Sequence, residues 1–397
     1  MIRDSTSVGE ISVADVDTWR SAARQQPDWE DIGLVEQVRE ELASLPALVS
    51  ADEVTLLRAL LAGVATGRGQ IIQAGDCAED PAACTPGPIA RKTGLINTLA
   101  EVMTGSAEPV VRVGRIAGQF GKPRSAPTEL VDNVALPVFR GHMVNSPEPD
   151  REARRPDPKR ILHGYWAASA AMDLLRPDSG SVGLRVWTSH EALLLDYELP
   201  LVRRTAAGSP LLTSTHWPWI GDRTRQVDGA HVSLLAAVGN PVACKVGPSM
   251  TAAELLALCE RLDPGREPGR LTLIARMGTD RVADALPPLV AAVHANGWPV
   301  IWLCDPMHGN TITAPSGLKT RLLASVIHEV RVFRAVVTGA GAIAGGLHLE
   351  ATPDDVTECV PCLEELAGAP VAATYTSLCD PRLNPRQAVT VAAAWRG

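Results

Sequence analysis

The sequence predicts a (β/α)8 TIM barrel with an N-terminal helical extension, and three observations carry that prediction. Eight short β-type runs recur from residue 70 onward, helical or loop stretches separate them, and polar, chemically able residues follow one run after another. Strands alternating with helices imply a parallel sheet. Eight such units favour a closed barrel over an open one, and in a barrel the carboxyl ends of the strands share one face.

The elements are expected in the following order. Residues 1 to about 16 read as a loose tail. A helix follows through Leu34, Val38, Leu42 and Leu45. A second opens at Ser50-Ala-Asp-Glu53, a capping box, and runs through Leu56, Leu57, Leu60 and Leu61. Residues 1–69 thus form a helical segment that would close the bottom of a barrel spanning 70–397. The strand runs are 70–74, 110–116, 185–188, 211–215, 242–246, 271–275, 300–303 and 346–349, with helical patterns in the gaps, as at 251–262 and 281–296. The Pro-rich, charged stretch 146–160 reads as an exposed loop, with Arg151–Arg155 as solvated charge. Gly339-Ala-Gly341-Ala-Ile-Ala-Gly345 reads as a turn before the last strand. Cys359 and Cys362 form a lone C-x-x-C on an expected helix and read as packing.

Composition limits the functions available. The chain has 397 residues, 46% of them hydrophobic, but only three Phe and three Tyr, so the core should be mostly aliphatic. A net charge of -8 argues against a nucleic-acid or anionic-membrane surface. The first ten residues, MIRDSTSVGE, lack the apolar stretch of a secretory signal, and no apolar run is long enough to span a bilayer. Eight scattered Cys without framework spacing suit a reducing, cytoplasmic compartment.

The chemistry gathers after the strands. The first run leads into Asp76-Cys77-Ala78-Glu79, the second into Arg115 and then Lys122-Pro123-Arg124-Ser125, and the third into Ser189-His190-Glu191. Trp219-Ile220-Gly221-Asp222-Arg223 follows the fourth. The fifth carries Lys245, the sixth ends at Arg276, the seventh precedes Asp305-Pro306-Met307-His308, and the eighth holds His348-Leu349-Glu350. Cys77, His308, Glu350 and Asp380 would lie at or near this face. A thiolate, an imidazole and two carboxylates suit Mn(II), Fe(II), Co(II) or Zn(II) and are too soft a set for a dedicated Mg(II) or Ca(II) cage. Arg112, Arg115, Lys122 and Arg124, with no acid between them, join Lys245 and Arg276 as a basic pocket on an acidic protein. Such a pocket points to a substrate with more than one anionic group. Gly121-Lys122 lacks the other residues of a phosphate-binding P-loop.

Taken together, QAGDCAE (73–79), RIAGQFGKPRSA (115–126), WTSHEALLLDYE (187–198), WIGDRTRQVDGAH (219–231), NPVACKVGP (240–248), GRLTLIARMG (269–278), CDPMHGNT (304–311), GGLHLEATPDDVTEC (345–359) and SLCDPRLN (377–384) resemble the class II (plant-like) 3-deoxy-D-arabino-heptulosonate 7-phosphate (DAHP) synthases. The resemblance implies metal-dependent condensation of phosphoenolpyruvate with erythrose 4-phosphate, at the head of the shikimate pathway. It implies a divalent metal, Mn(II) or Co(II) first, on Cys77, His308, Glu350 and Asp380. It places phosphoenolpyruvate on Arg115, Lys245 and Arg276, helped by Trp219 and Arg223. Lys122, Pro123, Arg124 and Ser125 match the aldose-phosphate site, where Arg223 would meet the phosphate. Catalytic work would fall to Lys245, Asp222 and His308.

Two departures from the family pattern bear on the aldehyde. Asp222 stands where Glu is usual, and His142, in Arg140-Gly141-His142-Met143-Val144-Asn145, stands where Asp is usual, which would change the charge near the aldose. A modified aldose phosphate, as in an aminoDAHP synthase, is therefore the alternative substrate. A non-catalytic barrel partnering a chorismate mutase is the alternative from another class. The short form resembles members serving secondary metabolism, which implies weak or absent feedback inhibition. A homodimer is the expected assembly.

Overall fold

The computed structural model describes residues 11–104, 109–131, 134–176, 185–366, 371 and 373–396. Eight parallel strands form the barrel: β1 (Gln70–Gly75), β2 (Val110–Arg115), β3 (Val186–Thr188), β4 (Trp219–Ile220), β5 (Val242–Val246), β6 (Leu271–Ala275), β7 (Ile301–Cys304) and β8 (Ile343–Glu350). They pair in the order β3-β2-β1-β8-β7-β6-β5-β4. The ring closes between β3 and β4. Glu191 bridges Trp219 in parallel, and the Trp217 and Trp219 N–H groups donate to the Thr188 and His190 carbonyls at 3.2 and 3.0 Å. Every residue of β5 and β6 is buried, as expected for parallel strands covered on both faces.

Helices α1 (Val13–Ala22), α2 (Ile32–Ser44) and α3 (Ala51–Ala65) precede the barrel. Around it lie α4 (Pro86–Met103), α5 (Lys159–Leu175), α6 (Ala230–Ala237), α7 (Ala252–Leu262), α8 (Val282–Ala295), α9 (Leu323–Gly339) and α10 (Pro385–Ala394). The Ser50/Glu53 capping box is present, with Ser50 Oγ accepting from the Glu53 N–H at 3.2 Å and the Glu53 carboxylate accepting from the Ser50 N–H at 2.7 Å. Helix α3 seals the amino end of the barrel. Leu57, Leu61 and Val64 pack with Ile71, Val111, Val113, Ile274, Ile301 and Leu303 in one buried cluster. Gly269, just before β6, lies against α3 with φ +83°, and a Cβ there would sit 2.5 Å from the Ala62 nitrogen. Trp187, Trp217 and Trp219 join the same barrel cluster, within a core that is otherwise mostly aliphatic, as expected.

Several sequence expectations need correction. The run 211–215 is not the fourth strand. Pro210–Leu212 instead pairs antiparallel with Val202–Arg204 in a side hairpin, and the barrel strand is the two-residue Trp219–Ile220. A two-residue strand has no periodicity to detect. The tail ends sooner than expected, because Ser12 and Asp15 form a capping box that starts α1 at Val13; residues 1–10 lie outside the described residues. The loop 146–160 is not uniformly exposed. Arg154 is buried, donating to the Glu148, Pro147 and Pro137 carbonyls and pairing with Glu129, and α5 begins at Lys159. Cys359 and Cys362 precede the short helix Leu363–Leu366 rather than lying on one. The glycine-rich stretch does hold the expected turn, at 340–342, between the end of α9 and the start of β8.

Candidate active site

A cavity of about 360 Å³ opens at the carboxyl face of the barrel. Arg115, Lys122, Pro123, Arg124, Ser125, Trp219, Asp222, Arg223, Lys245, Arg276, His308 and Asp380 all line it, together with Glu129, Glu191 and Lys319. Seven Arg and Lys side chains therefore face four carboxylates and a histidine. Arg112 and His142 do not line it.

Its floor is a chain of buried polar groups. Arg115, at the end of β2, donates Nη2 to Glu350 Oε1 at 3.2 Å and Nε to the Asp76 carbonyl at 3.1 Å; its Nη1 lies 2.8 Å from His348 Nε2. Gln73 Oε1 meets His348 Nδ1 at 2.7 Å. Burial, reinforced by Lys245 and Arg115, holds the His348 imidazole well below its usual range, so it is neutral. A neutral ring carrying its proton on Nδ1 can accept from Arg115 on Nε2. Trp219 forms one wall, with the Arg115 guanidinium 5.3 Å and the Lys245 ammonium 5.9 Å from its ring centre.

Lys245 projects from β5 and ion-pairs with Asp305. Burial lowers its pKa to about 8, against the raising pull of Asp305 and with a further lowering from Arg115. Asp305 also accepts from the Met307 and His308 N–H groups and meets His308 Nδ1 at 2.8 Å. Burial would raise its pKa, but His308 and Lys245 outweigh it and hold Asp305 well below the carboxylate range. One carboxylate thus orients both the lysine and the histidine. Arg276 donates to Asp222 Oδ2 at 2.9 Å and to the His308 carbonyl at 2.9 Å, while Arg225 Nε donates to Asp222 Oδ1 at 2.8 Å. Asp222 therefore tethers two cations.

The soft donors meet at one side. Cys77 Sγ and carboxylate oxygens of Glu350 and Asp380 lie within 4.8 Å of one another. His308 Nε2 is 3.2 Å from Glu350 Oε1, so the imidazole borders this trio on its Glu350 side. A thiol and two carboxylates gathered in a small space, with an imidazole beside one of them, fit a borderline divalent cation. Surrounding cations balance their charge: Lys122 Nζ lies 2.8 Å from Cys77 Sγ, Lys319 Nζ 2.8 Å from Asp380 Oδ1, and Arg321 Nη2 2.8 Å from Glu350 Oε2. Behind them, Arg382 joins Asp76 to Glu358 at 2.7 Å on each side, and Lys92 pairs with Asp76 at 2.9 Å. These contacts tie the loops carrying Cys77 and Asp380 together.

Sequence reasoning gave no role to several residues here. Glu79 accepts the Ala117, Gly118 and Gln119 N–H groups at 3.2, 3.0 and 3.0 Å, fixing the loop after β2, where Ala117 has φ +65°. Glu191 stands in the cavity wall with Oε1 buried and without a hydrogen-bond partner among the described residues. Burial raises its pKa, opposed by Lys122, Lys245 and His308. Gly221 leaves room for it, since a Cβ there would come 2.0 Å from Glu191 Oε1. Placement after a barrel strand was the available signal for both acids; Arg321 and Lys319 gave none. His142 stacks edge-on against Phe139, ring centres 5.3 Å apart, and burial lowers its pKa. The expected change of charge near the aldose is therefore not made in the cavity lining, which His142 does not join.

All eight cysteines are free, and no helix of the described residues is long and apolar enough to cross a membrane. The family model described as Class-II DAHP synthetase family matches residues 14–183 and 177–395. The chain is 52% identical over 381 residues to a probable phospho-2-dehydro-3-deoxyheptonate aldolase of Pseudomonas fluorescens, covering 94% of each chain. It is 42% identical to the phospho-2-dehydro-3-deoxyheptonate aldolase of Streptomyces coelicolor, covering 94% of this chain and 95% of the relative. A solved phospho-2-dehydro-3-deoxyheptonate aldolase from Francisella tularensis shares the fold, with TM-score 0.54 and 12% identity, covering 91% of this chain and 97% of that one. The chain is an enzyme of the class-II DAHP synthetase family.

Proposed function

We propose that the cavity condenses phosphoenolpyruvate with erythrose 4-phosphate to give DAHP and inorganic phosphate. The observation that carries this reading is a single cavity lined by seven Arg and Lys side chains beside one set of soft donors. Arg115 and Lys245 face the Trp219 ring and Arg276 is held by Asp222 and the His308 carbonyl, and these three suit the carboxylate and phosphate of phosphoenolpyruvate. Lys122, Arg124 and Ser125 line the same cavity with Arg223, whose Nη2 donates to Ser125 Oγ at 2.6 Å. That second group suits the aldose phosphate. Two substrates that repel each other in water are held together by fixed cations already paid for in folding.

Cys77, His308, Glu350 and Asp380 would hold a divalent metal, with Mn(II) or Co(II) preferred, and when bound it would supply Lewis acidity toward the aldehyde oxygen. The chain's own groups do the rest. C3 of phosphoenolpyruvate bonds to the aldehyde carbon, and the carbonyl electron pair moves to oxygen, which takes a proton from Lys245. Water adds to C2 and loses its proton to Glu191, whose raised pKa suits it to accept one. The phosphate leaves with the C2–O bond pair and takes up the proton that the C2 hydroxyl releases, and a ketone remains. Asp305 keeps Lys245 directed at the reacting carbons.

Asp222 is engaged by Arg276 and Arg225 and His142 is turned away from the cavity, so the motive for a modified aldose weakens and erythrose 4-phosphate is the preferred second substrate. The free cysteines support a reducing, cytoplasmic setting. The test is consumption of phosphoenolpyruvate with erythrose 4-phosphate after chelation and metal return. Metal-dependent loss matched by phosphate release supports the reading. Turnover of an amino or imino analogue alone would move it to a modified aldose, and no turnover of either would overturn it.

A further inference from the structure

The connection between α1 and α2 reaches the carboxyl rim of the barrel. Gln26 pins it to the segment after β3: its Oε1 accepts from the Leu195 N–H at 2.9 Å and its Nε2 donates to the Leu193 carbonyl at 2.8 Å. Trp29 Nε1 donates to Asp196 Oδ2 at 2.7 Å nearby. Gln25 beside it has φ +63°, a left-handed conformation that a residue with a Cβ adopts when its surroundings impose it. Two contacts impose it. Gln25 Oε1 accepts from the Arg124 backbone N–H at 2.8 Å, and the Gln25 carbonyl accepts from Arg140 Nη2 at 2.6 Å. The Arg140 carbonyl accepts from the Lys122 N–H at 2.8 Å. Both cations of the K-P-R-S segment therefore hang, through their backbone, on one residue of the N-terminal extension. The Arg124 guanidinium is held separately, by Glu129 at 3.0 Å. Gln25 itself does not line the cavity.

We propose that Gln25 is a positioning residue for the phosphate of the second substrate: by holding Arg124 and Arg140, it fixes the height at which Lys122 and Arg124 face the cavity. The inference deepens the reading proposed above and rests on it for the identity of that substrate. The N-terminal extension is then part of the active site's construction and not only a seal on the barrel floor.

The variant Gln25→Gly separates positioning from support. Glycine keeps the carbonyl that Arg140 uses, removes the penalty of positive φ, and deletes only the Oε1 acceptor. We expect its thermal stability to match or exceed that of the wild type. The KM for erythrose 4-phosphate should rise roughly tenfold, the loss of about one hydrogen bond. The KM for phosphoenolpyruvate should stay within about twofold. On an Arg124→Ala background the same substitution should add nothing to the KM. Calorimetric binding of inorganic phosphate, with phosphoenolpyruvate present at saturation, should weaken by the same factor. Because that readout needs no turnover, a wild type that ignores erythrose 4-phosphate would sink the proposed substrate while leaving this inference to stand or fall on phosphate binding. Unchanged phosphate affinity in Gln25→Gly would overturn it. So would equal rises in both KM values, or a fall in stability that tracks the loss of activity.

Discussion

Lys245→Met tests how this barrel uses a buried cation. At pH 7 the wild-type lysine is charged although burial has lowered its pKa from 10.5 to about 8. Holding that charge therefore costs on the order of 3 kcal/mol, from about 1.4 kcal/mol per pKa unit. Methionine removes the cost but takes one partner from Asp305. That carboxylate keeps His308 Nδ1 at 2.8 Å and two backbone N–H groups at 3.1 and 3.3 Å, so its loss should be limited to about 1.5–3 kcal/mol. The two effects nearly cancel, and the melting temperature should move by only a few degrees. Activity should not survive so well: if the ammonium grips phosphoenolpyruvate and donates the proton as proposed, its loss should lower kcat by roughly 10²–10³-fold.

The same residue gives a signed pH dependence. Between about pH 8 and 10.5 the unfolded chain still carries this proton while the folded chain has released it. Wild-type stability should thus gain on Lys245→Met as pH rises through that window, with no gain from this residue below about 8. Activity runs the other way, with kcat/KM for phosphoenolpyruvate declining above about pH 8 as the cation is lost. Denaturant unfolding and initial rates across pH 7–10.5 read both. A Lys245→Met enzyme within about threefold of wild-type kcat would refute the reasoning, as would a stability difference that does not change with pH.

Three further outcomes follow from the geometry. Cys77→Ser should weaken Mn(II) or Co(II) binding by at least roughly tenfold by direct titration while leaving the fold intact, since the thiolate is the softest donor of the set. Asp222→Asn should raise the KM for phosphoenolpyruvate about tenfold, because Arg276 and Arg225 lose the charge that tethers them; an unchanged KM would remove Asp222 from substrate binding. Arg154→Met should destabilise the fold by about 3 kcal/mol in denaturant melts, since it strips donors from three backbone carbonyls and leaves Glu129 with one cation.

What the sequence made legible was governed by distance along the chain and by element length. Five-residue, fully buried strands that carry or precede a basic residue were readable at Val242–Val246, which holds Lys245, and at Leu271–Ala275, which Arg276 follows. The two-residue Trp219–Ile220 was not, and the longer β-type run of the neighbouring hairpin took its place. Lys122, Arg124, Lys245 and Arg276 stood out because each sits in a motif, and the structure lines them along one cavity. The groups that orient them were harder to see. Arg321 reaches Glu350 from a surface hairpin, and Gln25 reaches Arg124 from 99 positions away. Such contacts are made by folding, and no local pattern announces them. Arg154 shows the opposite failure, a charge-rich loop whose central arginine turns inward to satisfy carbonyls that water would otherwise have to reach.

The most direct measurement is mass-spectrometric detection of the seven-carbon phosphorylated product from phosphoenolpyruvate and erythrose 4-phosphate, for chelated and Mn(II)-restored wild type and for Arg115→Met. The account predicts product and inorganic phosphate in equal amounts only with metal restored, and a loss of roughly 10³-fold in Arg115→Met, which removes the buried guanidinium proposed to anchor the first substrate. Product from Arg115→Met at the wild-type rate, or phosphate released without the seven-carbon product, would contradict it.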